Sequence, residues 1–273
     1  MSQILDLVED ARDLEKYYSN VTFVIMVGNI ANAEYIERIL YEGIKIDYIR
    51  MGIGGGSCCI TSAQTSVNCP MASLIDKAYR ITSAYKINHP DAFIPLLVAD
   101  GGIRTYADII KSLALGADYV MLGTTLSSLY ESASDFYRYS NENGCFYKST
   151  VSDNNDLRYS VNNQTNKMHN LLDGNLYKRN FGMSTPEAQQ AIDKDKESRL
   201  TEGLVRYIPC HKTLKTWHDE LVGYLRSSMS YMGFSDISEI QTAKCYIMSH
   251  NASHAINKPA DNFINKSSFF ISE

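Results

Sequence analysis

The sequence predicts an α/β fold of (β/α)8 TIM-barrel type, of which four strand–helix units are visible, interrupted by a polar insertion. Three observations lead there. Four short apolar runs, each ending in glycine or aspartate, alternate with helical patterns between residues 23 and 123. Strands alternating with helices imply parallel pairing through crossover helices. Glycine and polar residues collect at the C-terminal ends of those runs, the edge at which such barrels place their chemistry.

The chain starts with "MSQILDLVEDARDLEKYY", an acidic amphipathic helix pattern rather than a secretory leader. The strand runs are "FVIMVG" (23–28), "DYIRMG" (47–52), "IPLLVAD" (94–100) and "YVMLG" (119–123). Helical patterns separate them: "NAEYIERILYEG", "ASLIDKAYRITSAYK" and "TYADIIKSLALGA". Four such units are visible where a closed barrel needs eight. From 132 to 176 asparagine, serine and tyrosine dominate and helical periodicity is lost, as in an insertion or flap that has room for a hairpin. A helical pattern returns at "TLKTWHDELVGYLRSSMSYMG", followed by "ISEIQTAKCYIMS" and a polar tail. The expected organisation is a partial barrel at 1–131 and the insertion at 132–176. Residues 177–249 then supply the substrate loop, flap and C-terminal helices of the same domain, and 250–273 form a tail.

Composition narrows the function. At 273 residues, 44% hydrophobic and 21% charged, the chain is long enough to bury a sizeable core. A net charge of −5 and a pI near 5.7 give no general reason to expect nucleic acid or anionic membrane as partner. No apolar run reaches the length of a membrane span. The six cysteines are scattered without a CxxC pair, so free thiols and a cytoplasmic location are expected. The six histidines show no ligand spacing, which speaks against histidine-based metal chemistry.

The chemistry concentrates in "RMGIGGGSCCITSAQ" (50–64). Glycines at 52, 54, 55 and 56 let several backbone groups turn toward one point. Inward amides would hold a phosphate, and inward carbonyls a monovalent cation. Ser57 can add a hydroxyl. Either Cys58 or Cys59 can be a nucleophile if its thiolate is stabilised, although on spacing alone a buried packing role is the commoner fate. Two other strand ends carry related turns: Asp100-Gly101-Gly102, and Gly123 before Thr124 and Thr125. An aspartate can take ribose hydroxyls and glycine amides can take phosphate, so three such turns in succession point to a nucleoside monophosphate.

"GIGGGSCCIT", "ADGGIRTYADIIKSLALGADYVMLG" and "FGMST" resemble the IMP dehydrogenase/GMP reductase family in residues and order. Gly52, Gly54, Gly56, Ser57, Cys59 and Thr61 match that family's G-x-G-x-G-S-x-C-x-T nucleophile loop, and Cys58 falls on its variable position. Met71 stands where a glutamine is usual. The span from Met183 to Glu202 is 19 residues, close to the shorter arrangement of GMP reductases. "SRLTEG" (198–203) is similar to their "YRASEG", matching Arg199, Glu202 and Gly203 but not Ser198. The pair Arg206-Tyr207 lies after this motif and reads as structural. "LVGYLRSSMSYMG" resembles the family's cofactor-contacting loop, with Ser227, Ser228, Met229 and Ser230 in register.

The resemblance implies reductive deamination of GMP to IMP. Cys59 thiolate would add to C2 of the purine, ammonia would leave, and NADPH would provide hydride. Thr61 and Glu202 would move the proton, Asp100 would hold the ribose, and Ser57, Gly101, Gly102, Gly123 and Thr124 the phosphate end. Met183 and Ser184 would line the base, and Thr185, Arg199 and Gly203 would also contact substrate. Carbonyls of Gly54, Gly56 and Cys59 would coordinate K+. The family also implies a homo-oligomer, a tetramer. Four further strand–helix units precede the matching region in that family. Three readings follow: a complementary N-terminal half-barrel chain that docks here, a fragment of a longer protein, or an inactive nucleotide-binding remnant. The enzymatic alternative is an IMP dehydrogenase using NAD. Taken in isolation, Thr61 also suits a turn cap, and Glu202 and Arg199 suit solvated surface charges.

Overall fold

A computed structural model describes residues 2–18, 20–149, 176–192, 203–210, 212–246 and 248. The chain divides into a main unit, residues 1–242, and a second one, residues 243–273. The described residues of the second, 243–246 and 248, carry no regular secondary structure.

The main unit opens with helix α1 (Ser2–Tyr17), followed by three strand–helix pairs and a fourth strand. These are β1 (Met26–Ile30), α2 (Glu34–Tyr41), β2 (Tyr48–Met51), α3 (Thr61–Thr65), α4 (Met71–Asn88), β3 (Leu96–Asp100), α5 (Tyr106–Ala114) and β4 (Tyr119–Met121). The four strands form a parallel sheet in the order β1-β2-β3-β4. Met26 pairs with Tyr48, Tyr48 with Leu96, and Val98 with Tyr119.

Side chains alternate across each strand. Ile49, Met51, Leu97 and Ala99 point to one side and are buried beneath Ile36, Ile39 and Leu40 of α2, Leu74, Ile75 and Ala78 of α4, and Ile109 of α5. Truncating a large aliphatic member of this cluster to alanine is expected to cost roughly 2–5 kcal/mol. The opposite face carries Met26, Leu96 and Tyr119, all substantially exposed. Parallel sheets are normally covered on both sides. Helix α5 starts where Thr105 and Asp108 form a reciprocal capping box. Arg12 fastens α1 to the sheet by donating to Phe23 O, Lys45 O and Asp47 Oδ2 at 2.7–3.1 Å.

After the short helix α6 (Thr124–Ser127) the architecture changes. A hairpin, β5 (Phe136–Ser140) and β6 (Cys145–Lys148), pairs antiparallel with β7 (Leu176–Phe181), which pairs antiparallel with β8 (Val205–Pro209). This sheet, in the order β6-β5-β7-β8, stands where further strand–helix units were absent from the sequence. Lys178 of β7 is only 2% exposed; its Nζ donates to Ser132 O and Ser134 O and sits 3.6 Å from the centre of the Phe136 ring. A buried ammonium is tolerated because carbonyls and a ring face replace water around it.

Helix α7 (Pro186–Ile192) follows β7, and α8 (Leu214–Met232) follows β8. Thr213 caps α8 by accepting from Thr216 N, Gly233 ends it at φ 76°, and Trp217 anchors it in the main core. Helix α8 is followed by a 3-10 helix, Ile237–Thr242. Among the described residues no helix is long and apolar enough to cross a membrane.

Candidate active site

The ends of β2, β3 and β4 converge on one region. The loop after β2 is pressed against the turn after β3: a Cβ on Gly55 would lie 2.8 Å from the Gly101 carbonyl carbon. Only glycine permits that approach. One wall of the resulting cavity, about 730 Å³ in volume, includes Ser57, Asp100, Gly102, Gly123 and Thr124. Ser57 Oγ and Thr124 Oγ1 lie 2.5 Å apart, joining the first loop to the start of α6.

The two cysteines have different surroundings. Cys58 is buried, with Sγ 3.6 Å from the Asn180 carbonyl of β7. Cys59 is partly exposed, and its Sγ donates to Thr61 Oγ1 at 3.2 Å. Cys59 N donates back to Gly56 O at 3.1 Å, closing a tight turn. Gly203 forms an antiparallel bridge with Cys59, and Leu204 N donates to Cys58 O at 2.8 Å. The main chain leading into β8 is thereby tied to the cysteine loop. All six cysteines are free thiols. Cys210 is the contrast case: burial pushes its pKa up to about 12, against a smaller opposing effect of Lys178, and leaves it an inert thiol at neutral pH.

Asp100 ends β3 and is held by its neighbours. Arg50 of β2 and the Asn29 amide of β1 both donate to its Oδ2. Neither partner was singled out from the sequence, because their role depends on strand register.

Several expectations change. Thr185, expected among the substrate-binding residues, is fully buried: its Oγ1 donates to Gly182 O at 2.8 Å and accepts from Ala188 N of α7 at 3.4 Å. Its side chain caps α7. Met183 and Ser184 beside it are exposed. Ser227, Ser228, Met229 and Ser230 were expected in a loop but belong to continuous helix α8, and none lines the cavity. Arg206 was read as structural, whereas it lines the cavity; Tyr207 points the other way and stacks on Phe146 with centroids 4.0 Å apart. Arg199 and Glu202 lie outside the described residues, as does most of the 132–176 insertion beyond its hairpin. Among the described residues no His/Cys/Asp/Glu cluster could hold a metal ion. Gly54 O accepts from Ser62 Oγ and Gly56 O from Cys59 N, so each keeps a second lone pair for a hard monovalent cation.

The family model described as IMP dehydrogenase / GMP reductase domain matches residues 2–164 and 160–259. The chain is 29% identical over 227 residues to inosine-5'-monophosphate dehydrogenase of Helicobacter pylori, covering 83% of this chain and 40% of that protein. It is 28% identical to GMP reductase of Phytophthora infestans, covering 82% and 50%, and 26% identical to GMP reductase 2 of Mus musculus, covering 88% and 56%. The chain thus spans about half the length of these relatives. With the model matching most of its residues, the chain belongs to the IMP dehydrogenase/GMP reductase family.

Proposed function

We propose that this chain carries the nucleotide-transforming half of a GMP-reductase-like oxidoreductase. The observation that carries the reading is the Cys59–Thr61 contact at 3.2 Å, on a glycine loop packed against the Asp100–Gly102 turn. A thiol beside a hydroxyl relay suits nucleophilic addition with coupled proton movement. The 19-residue span from Met183 to Glu202 supports the reductase branch over the dehydrogenase branch.

In this mechanism the GMP phosphate binds at Ser57, Gly102, Gly123 and Thr124, and Asp100, preset by Arg50 and Asn29, takes the ribose. Cys59 attacks C2 of the purine. Thr61, with Glu202, passes a proton to the departing amine, which leaves as ammonia. When bound, NADPH would supply hydride to C2, and Cys59 would then be released as thiolate as IMP forms. Ser227–Ser230 sit on α8 away from the cavity, so no hydride-donor contact is derived from them. Carbonyls of Gly54, Gly56 and Cys59 would hold K+ and stiffen the loop. The exposed sheet face with Met26, Leu96 and Tyr119 is the surface that a complementary half-barrel, or a second copy in an oligomer, would cover.

The test is NADPH consumption by the full chain, alone and with a candidate complementary half. Consumption that requires GMP, disappears in Cys59→Ala and survives in Cys58→Ala supports the reading. NAD reduction with IMP would move the chain to the dehydrogenase branch. Nucleotide binding without turnover in either direction would leave a binding protein.

A further inference from the structure

The cavity does not stop at the glycine turns. It continues past Gly102 and Gly123 to Arg104, Arg206, Lys212 and Trp217. Residues alternate across β8, so Arg206 and Ile208 face this cavity while Tyr207 faces the aromatic cluster of Tyr137 and Phe146. The Arg-Tyr pair is therefore split between two surfaces.

The three cations on the wall are not equivalent. Lys212 Nζ is matched by Glu220 Oε2 at 2.7 Å. Among the described residues, the guanidiniums of Arg104 and Arg206 have no carboxylate partner. Asp100 is the single described carboxylate on the same wall, and its Oδ2 is taken by Arg50 and Asn29. Both arginines are exposed to solvent and line the cavity without a carboxylate partner, so an anion entering it meets two guanidiniums able to take it. Their planar forks match the oxygens of a phosphate better than those of a spherical halide. Ser57 and Thr124 add two hydroxyls to the same cavity.

We propose that Arg104 and Arg206 are anion-binding residues that hold a phosphate monoester dianion in this cavity together with Ser57 and Thr124. For a nucleotide this rests on the function proposed above, and it assigns part of the phosphate affinity to Arg104 and Arg206, neither of which the sequence alone marked as a ligand. The same chemistry is offered by inorganic phosphate, so both sources enter the test.

Calorimetric titrations of the full chain with GMP, guanosine and inorganic phosphate would be run at one ionic strength. Arg206→Ala and Arg104→Ala should each weaken GMP binding roughly tenfold or more, the loss of a charge-assisted contact. Arg206→Lys should recover part of it, guanosine binding should not change, and Arg80→Ala, a cation on α4 away from the cavity, should behave as wild type. Thermal unfolding by circular dichroism identifies folded variants, and Arg206→Lys against Arg206→Gln carries the comparison if the alanine variant unfolds. Inorganic phosphate binding that depends on Arg206, without GMP binding, supports the anion site and overturns the nucleotide reading. GMP binding unaffected by the arginine substitutions overturns the anion site and leaves the nucleotide reading standing. Absence of binding by either ligand overturns both.

Discussion

Arg50 converges on a single oxygen of Asp100: Nε lies 2.9 Å and a terminal nitrogen 2.8 Å from Oδ2. The Asn29 amide reaches the same oxygen at 2.9 Å, so three adjacent parallel strands are cross-linked at their C-terminal ends. Because the pair is partly exposed, its stability contribution is modest, about 1 kcal/mol. The larger effect should be on orientation. Arg50→Met is expected to lower the urea midpoint slightly and weaken GMP binding markedly, as read by chemical unfolding and calorimetry.

Thiol labelling should separate the adjacent cysteines. Iodoacetamide is expected to modify Cys59 and the exposed Cys145 and Cys245 early, with buried Cys58 and Cys210 lagging. Peptide mass spectrometry over time reads the order. Cys58 reacting ahead of Cys59 would remove the basis for assigning the nucleophile.

The contact between the two glycine turns leaves no room for a methyl group. Gly55→Ala would force the loop away from Gly101, at a cost of about 1–3 kcal/mol. Nucleotide binding should fall with it, whereas Gly223→Ala on α8, where a Cβ meets nothing within 4 Å, should leave binding unchanged. Thermal shift with and without GMP distinguishes the two.

Acid should loosen the attachment of α1. Burial alone would raise the pKa of Asp47, but the Ile25 N–H and the Arg12 guanidinium, each 2.7 Å from Oδ2, outweigh it and hold the carboxyl below its usual range. A depressed carboxylate contributes stability above its unfolded pKa, about 3.9, which is lost as pH falls through the lower folded value. Stability is therefore expected to drop below about pH 4, and Asp47→Asn should flatten that limb in urea titrations at stepped pH.

Much of this was legible in local sequence because local periodicity decides it. The runs at 47–52, 94–100 and 119–123 contain β2, β3 and β4, and the ends of α2, α4 and α5 fall within three residues of those of their patterns. The first strand begins later than its apolar run: Val24 is exposed, and pairing starts at Met26, opposite Tyr48. Hydrophobicity does not tell a strand from the chain approaching it. The pattern at 213–233 carried its own helix signals, a Thr213 cap and a Gly233 stop, which proved the better guide to Ser227–Ser230 than the loop resemblance. Arg50 and Arg206 acquire their places through pairing with distant strands, Arg50 opposite Val98 and Arg206 opposite Asn180. No short window contains that information.

The bridge from Gly203 to Cys59 gives the two ends of the site a common mechanical part. Only Leu204 and Val205 separate Gly203 from Arg206, so a pull on that arginine travels a short distance to the thiol loop. Phosphate occupying the cavity would then alter how Cys59 meets an electrophile, and modification of Cys59 would alter phosphate affinity, the equilibrium effects being equal in size by linkage.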